Sequence, residues 1–188
     1  MARIVGISGS LRRGSYNSAL LRAAVALMPS GAELVVASIA GIPLYDGDVE
    51  AAEGVPRAVA ELKDAIAAAD GLLLATPEYN NSVPGVFKNA IDWLSRPPAD
   101  AVRVFAGKRV ALVGASPGGF GTILSQNAWL PILRTLGCEL WPGRLLVSRA
   151  ATVFDADGAL TDAKVAESLR ALLRGFVSFV DTGGRQHP

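Results

Sequence analysis

Three stretches of this sequence bring together residue types suited to a flat ligand that carries a phosphate. The first is Ser8-Gly9-Ser10-Leu11-Arg12-Arg13-Gly14-Ser15-Tyr16-Asn17-Ser18. Its glycines let backbone N–H groups turn inward, and its serines donate hydrogen bonds. The helix expected to follow adds the positive end of its dipole. That combination makes a phosphate cradle. It lacks the Gly-Lys-Ser/Thr ending of a nucleoside-triphosphate loop. It also lacks G-x-G-x-x-G spacing, and no acid closes the next apolar run to hold a ribose. A monophosphate held by side-chain hydroxyls fits better, and the plain alternative is a Ser-rich turn that only caps a helix.

The second stretch, Thr76-Pro77-Glu78-Tyr79-Asn80-Asn81-Ser82-Val83-Pro84-Gly85, holds an aromatic ring, a carboxylate and two amides between two prolines. Pro77 ends one element and Pro84 can open a helix at its first turn. A planar heterocycle could take a wall from Tyr79 and hydrogen bonds from Asn80 or nearby backbone. The plain alternative is that Tyr79 packs on its own loop. The third stretch, Gly114-Ala115-Ser116-Pro117-Gly118-Gly119-Phe120-Gly121-Thr122, lets backbone approach a flat ligand where a Cβ would intrude. It also spells G-x-S-x-G, the pattern of a hydrolase nucleophile. The oxyanion hole would need the N–H of the residue after Ser116, and Pro117 has none. His187, the only histidine, lies next to the end in a tail expected to fray. A hydrolase is therefore set aside, with every mechanism that needs a histidine base.

The elements that must position these stretches are short apolar runs alternating with helical periods. Arg3–Ser8, Leu34–Ala37, Gly71–Thr76, Lys108–Gly114 and Cys138–Val147 read as strands. Their continuous hydrophobicity suggests cover on both faces, as in a parallel sheet. Between them, Leu20, Ala24 and Leu27 share a helix face. So do Val55, Val59, Leu62, Ile66 and Ala69, and so do Val165, Leu169, Leu172, Phe176 and Val180, with Thr161 as the expected N-cap of that last helix. Residues 39–54, with Asp46, Asp48, Glu50 and Glu53, read as a solvated loop and not as a metal site. The alternation implies right-handed crossovers and a three-layer α/β/α sandwich, with ligands beyond the carboxyl ends of the strands. All three stretches sit there.

Composition limits the partners. The 188 residues are 51% hydrophobic and 19% charged, which excludes intrinsic disorder and matches one domain, expected over residues 1–182 with 183–188 as a disordered tail. Lys plus Arg number 18 against 17 acids, so no field of one sign draws in nucleic acid or an anionic membrane. The single cysteine, Cys138, permits no intrachain disulfide. No signal peptide and no apolar run long enough to span a membrane is read, which makes a cytoplasmic location the expectation.

Taken together, the sequence resembles the NADPH-dependent FMN reductase family of the flavodoxin-like fold, which includes bacterial chromate and quinone reductases. The matching pieces are Gly9-Ser10-Leu11-Arg12 with Ser15 and Asn17, then Pro77-Glu78-Tyr79-Asn80 with Ser82-Val83-Pro84-Gly85, then Lys88-Asn89-Ala90-Ile91-Asp92-Trp93-Leu94-Ser95-Arg96. Ile42-Pro43-Leu44-Tyr45-Asp46 is similar to the family's second-strand loop. The resemblance implies a five-stranded parallel sheet in the order 2-1-3-4-5 and a bound FMN. Ser10, Leu11, Arg12, Ser15, Asn17 and Ser18 would hold its phosphate. Pro77, Glu78, Tyr79 and Asn80 would line the ring, with Ser116, Gly118 and Gly119 on the other edge. It further implies a homodimer. A tetramer through the segment after the third stretch is in doubt, because Ile123–Asn127 carries neither the Arg nor the Tyr of some relatives. Trp93 would either join such an interface or, as is commoner, fill the seam between helix and sheet.

The expected chemistry is hydride transfer from NADPH or NADH to FMN, then two electrons to a small-molecule acceptor such as a quinone, azo compound, chromate or free flavin, in alternation. No protein base is required, because the cofactor carries the reaction. Two other classes share the fold. A flavodoxin-type electron carrier would bind FMN without nicotinamide activity, but such carriers are strongly acidic. A signalling receiver would need acids at the end of the first strand, where Ile7-Ser8-Gly9 supplies none.

Overall fold

The computed structural model describes residues 1–182; His187 and the tail expected at 183–188 lie outside the described residues. The chain runs β1 (Ala2–Ser8), α1 (Tyr16–Ala26), β2 (Ala32–Ala37), α2 (Gly47–Glu53), α3 (Arg57–Ala67), β3 (Gly71–Ala75), α4 (Gly85–Leu94), α5 (Pro98–Phe105), β4 (Arg109–Ala115), α6 (Ile123–Thr135), β5 (Glu139–Val147) and α7 (Ala163–Thr182), with a 3₁₀ turn at Ala150–Thr152. The strands form one parallel sheet in the order β2-β1-β3-β4-β5. That is the expected order. From β1 the chain steps to β2 on one side and then crosses back over β1 to β3 on the other, a reversal that opens a crevice above the ends of β1 and β3.

Two apolar layers hold the sheet. Leu20, Leu21 and Ala24 of α1 pack with Leu169, Leu173 and Phe176 of α7 against one face. Leu62 and Ile66 of α3, Phe87, Ile91 and Trp93 of α4, Phe105 of α5 and Trp129 of α6 pack against the other. Every residue of β3 is buried, as continuous hydrophobicity predicts for a central strand. The same reading fails for β2 and β5. They are the edges of the sheet, and Val35 and Val36 of β2 are each more than 40% exposed.

Strand β5 also departs from regular pairing. Val110 stands opposite Leu140 and Leu112 opposite Arg144, so Trp141, Pro142 and Gly143 bulge out against Ala111 alone. Pro142 has no N–H to offer a ladder, and an edge strand is where a sheet tolerates that.

Three further expectations are corrected. Residues 39–54 are not all loop, because α2 forms there with the Asp46 carboxylate accepting from Asp48 N–H at its start. Glu50 of α2 accepts from the Tyr45 hydroxyl and from Arg96 Nε, so this acid is held in an ion pair. The last helix is capped by Asp162, whose carboxylate accepts from the N–H groups of Lys164 and Val165; Thr161 instead donates to Val153 O. Helix α5, one of two between β3 and β4, was not anticipated. Trp93 is fully buried and donates its indole N–H to Pro43 O, so it fills the seam. No described helix is long and apolar enough to cross a membrane.

Candidate functional site

Above the ends of β1, β3 and β4 lies a cleft of about 370 Å³. It gathers Ser10, Arg12, Ser15 and Asn17 at one end, and Pro77, Glu78, Tyr79 and Ser116 at the other. Those eight were all singled out from the sequence. Tyr16, Ala115 and Pro117 also line it and were not. Each of the three is the immediate neighbour of a residue that was, so adjacency in the three stretches was the signal available.

The first end is built around the start of α1. Ser15 is the N-cap, and its hydroxyl oxygen accepts from Ser18 N–H at 3.3 Å while its own O–H stays free to donate. The N–H groups of Leu11, Tyr16 and Asn17 find no acceptor among the described residues. No acid stands in the first turn of α1 to neutralise them. Ser10 Oγ accepts from Arg12 N–H at 3.3 Å, which folds the loop back on itself. The Arg12 guanidinium lies 5.6 Å from the centre of the Tyr16 ring, a cation–π contact that keeps it over the helix start. Free N–H donors, a hydroxyl and a guanidinium at the positive end of an eleven-residue helix are the chemistry that could receive an anion.

Two side chains of the same loop turn elsewhere. The Ser18 hydroxyl donates to Ser8 Oγ at 3.0 Å. With Leu11 it faces a smaller hollow of about 160 Å³ between the ends of β1 and β2. Asn17 is buried, and both ends of its side-chain amide are engaged by the backbone of Ala115. What Asn17 has left to offer a ligand is its own N–H.

The second end has apolar walls. Pro77, Tyr79, Ala115 and Pro117 contribute them, surfaces that suit a flat ring. Residues 79–82 form a tight reversal in which Tyr79 N–H donates to Ser82 O and Ser82 N–H to Tyr79 O, at 3.2 and 3.1 Å. Asn80 and Asn81 both have positive φ, 51° and 61°, as a type I′ turn requires. Asparagine tolerates that region better than most residues. The reversal leaves Tyr79 about half exposed, and Asn80, expected to line the ring, is exposed and does not line the cleft.

The third stretch is fixed by its own backbone. Ser116 Oγ donates to Gly121 O at 2.6 Å, so that hydroxyl is engaged within the loop. Arg149 N–H donates to Gly118 O, and Ala150 N–H to Ser116 O. Gly118 and Gly119 do not line the cleft, yet a Cβ added at Gly119 would meet open space. Close packing requires glycine at two other positions. A Cβ at Gly9 would overlap the Phe87 ring, and one at Gly114 would overlap the Thr122 side chain.

Beneath the slot a buried network fixes the end of β3 to α6. The Thr76 hydroxyl donates to Pro77 O, which uses its only proton. Ser125 Oγ, 2.8 Å away, must then be the donor to Thr76 Oγ1, joined there by the indole N–H of Trp129 at 3.0 Å. All three side chains are fully buried.

The sequence matches the model of the NADPH-dependent FMN reductase family over residues 2–152. It is 47% identical over 179 residues to an NAD(P)H-dependent FMN reductase of Pseudomonas aeruginosa, covering 95% of each chain. It is 37% identical over 176 residues to a 2-hydroxy-1,4-benzoquinone reductase of a Burkholderia species, covering 93% of this chain and 92% of that one. Among solved structures, a flavoenzyme NAD(P)H:(acceptor) oxidoreductase of Paracoccus denitrificans superposes with a TM-score of 0.85 at 34% identity, over 97% of this chain and 98% of that one. The chain that carries this cleft thus belongs to the NADPH-dependent FMN reductase family.

Proposed function

We propose that this protein is an NAD(P)H-dependent oxidoreductase that holds FMN in the cleft between α1 and the 77–82 loop and reduces a quinone-type acceptor. The observation that carries this reading is the pairing of an anion site with an apolar slot in one continuous cleft. The residues present suit the group. The free N–H groups of Leu11, Tyr16 and Asn17, the Ser15 hydroxyl and the Arg12 guanidinium would hold a phosphate. The walls of Pro77, Tyr79, Ala115 and Pro117 would take the ring system. When bound, FMN supplies the two-electron chemistry, accepting hydride from NAD(P)H and releasing electrons to the acceptor in alternation.

The chain's own contribution is binding, orientation and access. Arg12 and the start of α1 fix the anionic end. The rigid reversal at Asn80 and Asn81 holds Tyr79 at the mouth, where it limits the angle at which a second planar molecule enters. A quinone acceptor rests on the printed activities of the relatives, one a 2-hydroxy-1,4-benzoquinone reductase and three others quinone reductases of enteric bacteria. Azo compounds, chromate and free flavin are further acceptors for the same assay. A unit spanning residues 1–182, a homodimer and a cytoplasmic setting complete the proposal. Sedimentation of the FMN-loaded protein reads the dimer.

The test is direct. Purified protein mixed with FMN should turn yellow and quench the flavin's fluorescence. One equivalent of NADPH without oxygen should bleach it, and a quinone should restore the colour. Initial rates at several quinone concentrations should give parallel double-reciprocal lines. Protein that stays colourless and oxidises no NADPH with FMN present would overturn the reading.

A further inference from the structure

The start of α6 is capped in an unusual way. Its N-cap residue, Thr122, makes no side-chain capping bond; Thr122 Oγ1 instead accepts from Gln126 Nε2 at 3.2 Å. The two N–H groups that an N-cap side chain ordinarily serves, those of the second and third helical residues, belong to Leu124 and Ser125. Both donate to Glu78 Oε2, at 2.8 and 3.1 Å. Glu78 comes from the loop just before the 79–82 reversal, 46 residues earlier in the chain than Leu124, and lines the cleft. One carboxylate therefore belongs to two structures: a wall of the cleft and the positive end of a thirteen-residue helix.

We infer that Glu78 is a positioning residue, whose carboxylate tethers the 77–82 loop to α6 and whose charge offsets the positive end of that helix beside the cleft. The inference rests on the proposed function for its second half only. Were the site left uncapped, two N–H donors and the helix dipole would present a rival anion site at the ring end. With Glu78 in place, the anion site at α1 keeps the advantage, and a ligand enters in one orientation. The same charge opposes any gain of negative charge in the cleft, as happens when a bound flavin takes up two electrons. The side chain thus lowers the affinity for the reduced form relative to the oxidised one, which favours passing electrons on.

Two variants separate the tether from the charge. Glu78→Ala removes both; Glu78→Gln keeps an oxygen that can accept from Leu124 and Ser125 but removes the charge. Hydrogen exchange on the full chain without FMN reads the tether. The amides of Leu124 and Ser125 should exchange at least about tenfold faster in Glu78→Ala, with those of β3 and β4 unmoved, and Glu78→Gln should restore most of the protection. The charge is read from the flavin. In Glu78→Gln the ratio of reduced to oxidised FMN affinity should rise about tenfold, an upward shift of about 30 mV in the two-electron midpoint potential. Unchanged exchange in Glu78→Ala overturns the tether, and an unchanged potential in Glu78→Gln overturns the role of the charge. Wild-type protein that takes up no FMN would defeat the proposed function and the charge together, while the exchange measurement still decides the tether.

Discussion

The side-chain amide of Asn17 and the backbone of Ala115 form a closed pair of hydrogen bonds: Asn17 Nδ2 donates to Ala115 O, and Ala115 N–H donates to Asn17 Oδ1, each at 2.9 Å. The pair is buried and joins the first turn of α1 to the last residue of β4. The anion end and the ring end of the cleft are thereby set at a fixed distance. Asn17→Ala leaves the two backbone groups of Ala115 without partners, at a cost of about 2–4 kcal/mol. Urea unfolding should show that loss in the midpoint with little change in slope, and FMN affinity should fall in the same variant. A variant as stable as wild type would show that water replaces the amide without penalty.

The anion site has its own variant. Ser10→Ala combined with Arg12→Ala should weaken FMN binding by about 2–4 kcal/mol, because charge-assisted hydrogen bonds contribute roughly 1.5–3 kcal/mol each. Arg12 is exposed and Ser10 half-buried, so folding should be little affected. Fluorescence titration with FMN and with riboflavin, which lacks the phosphate, checks the assignment. The double variant should lose affinity for the first and hardly any for the second.

Gly9 and Phe87 can be tested as a pair. Gly9→Ala drives a methyl group into the Phe87 ring at the floor between the first loop and α4, and should cost about 2 kcal/mol or more. Phe87→Leu alone also destabilises, by loss of packing against Trp129. Together the two should be less damaging than their sum, since the smaller side chain makes room. Strict additivity of the urea-derived values would mean that the two residues do not meet.

Asp100 should contribute to acid sensitivity. The buried Lys63 ammonium donates to Asp100 at 3.0 Å and to Arg96 O, and that bond is the main reason the Asp100 carboxyl sits below its ordinary value near 3.8. A carboxyl held low in the folded state stabilises it above the ordinary value, and that gain fades as pH falls below it. Asp100→Asn should cost roughly 2–4 kcal/mol at pH 7, because Lys63 loses its counter-charge. The gap between variant and wild type should narrow below about pH 4. A gap that stays constant from pH 7 to pH 3 would contradict the assignment.

Cys138 should be chemically quiet. Burial pushes its thiol up to about 12, against a smaller opposing influence from Lys108. Iodoacetamide at pH 8 should therefore label native protein far more slowly than protein unfolded in urea. Equal rates would show that the thiol reaches solvent freely.

Much of this architecture is legible before folding, for a simple reason. Central strands such as β3 are apolar without interruption because both faces are covered, and the loops that follow β1, β3 and β4 concentrate Gly, Ser, Asn and Pro where a ligand must be approached closely. Partnership at long range is what a linear reading misses. Nothing in Pro77-Glu78-Tyr79-Asn80 announces that the carboxylate caps a helix 46 residues away, so a side chain expected to line the ring, and found lining the cleft, also holds a helix. Asn17 presents the same case, with its amide committed to Ala115 across 98 residues. The edges were misread for a related cause: Leu34–Ala37 is as apolar as an inner strand, and only the strand order leaves one of its sides unpaired.

The bulge at Trp141, Pro142 and Gly143 bears on how the molecule behaves at high concentration. A bare parallel margin invites a foreign chain to zip onto it and propagate into insoluble fibrils. At Pro142 that zipper lacks a tooth, and the local kink turns its neighbours out of line. Straightening this stretch, for example with Pro142→Val, should leave the cleft intact yet make the purified protein cloud more readily on warming.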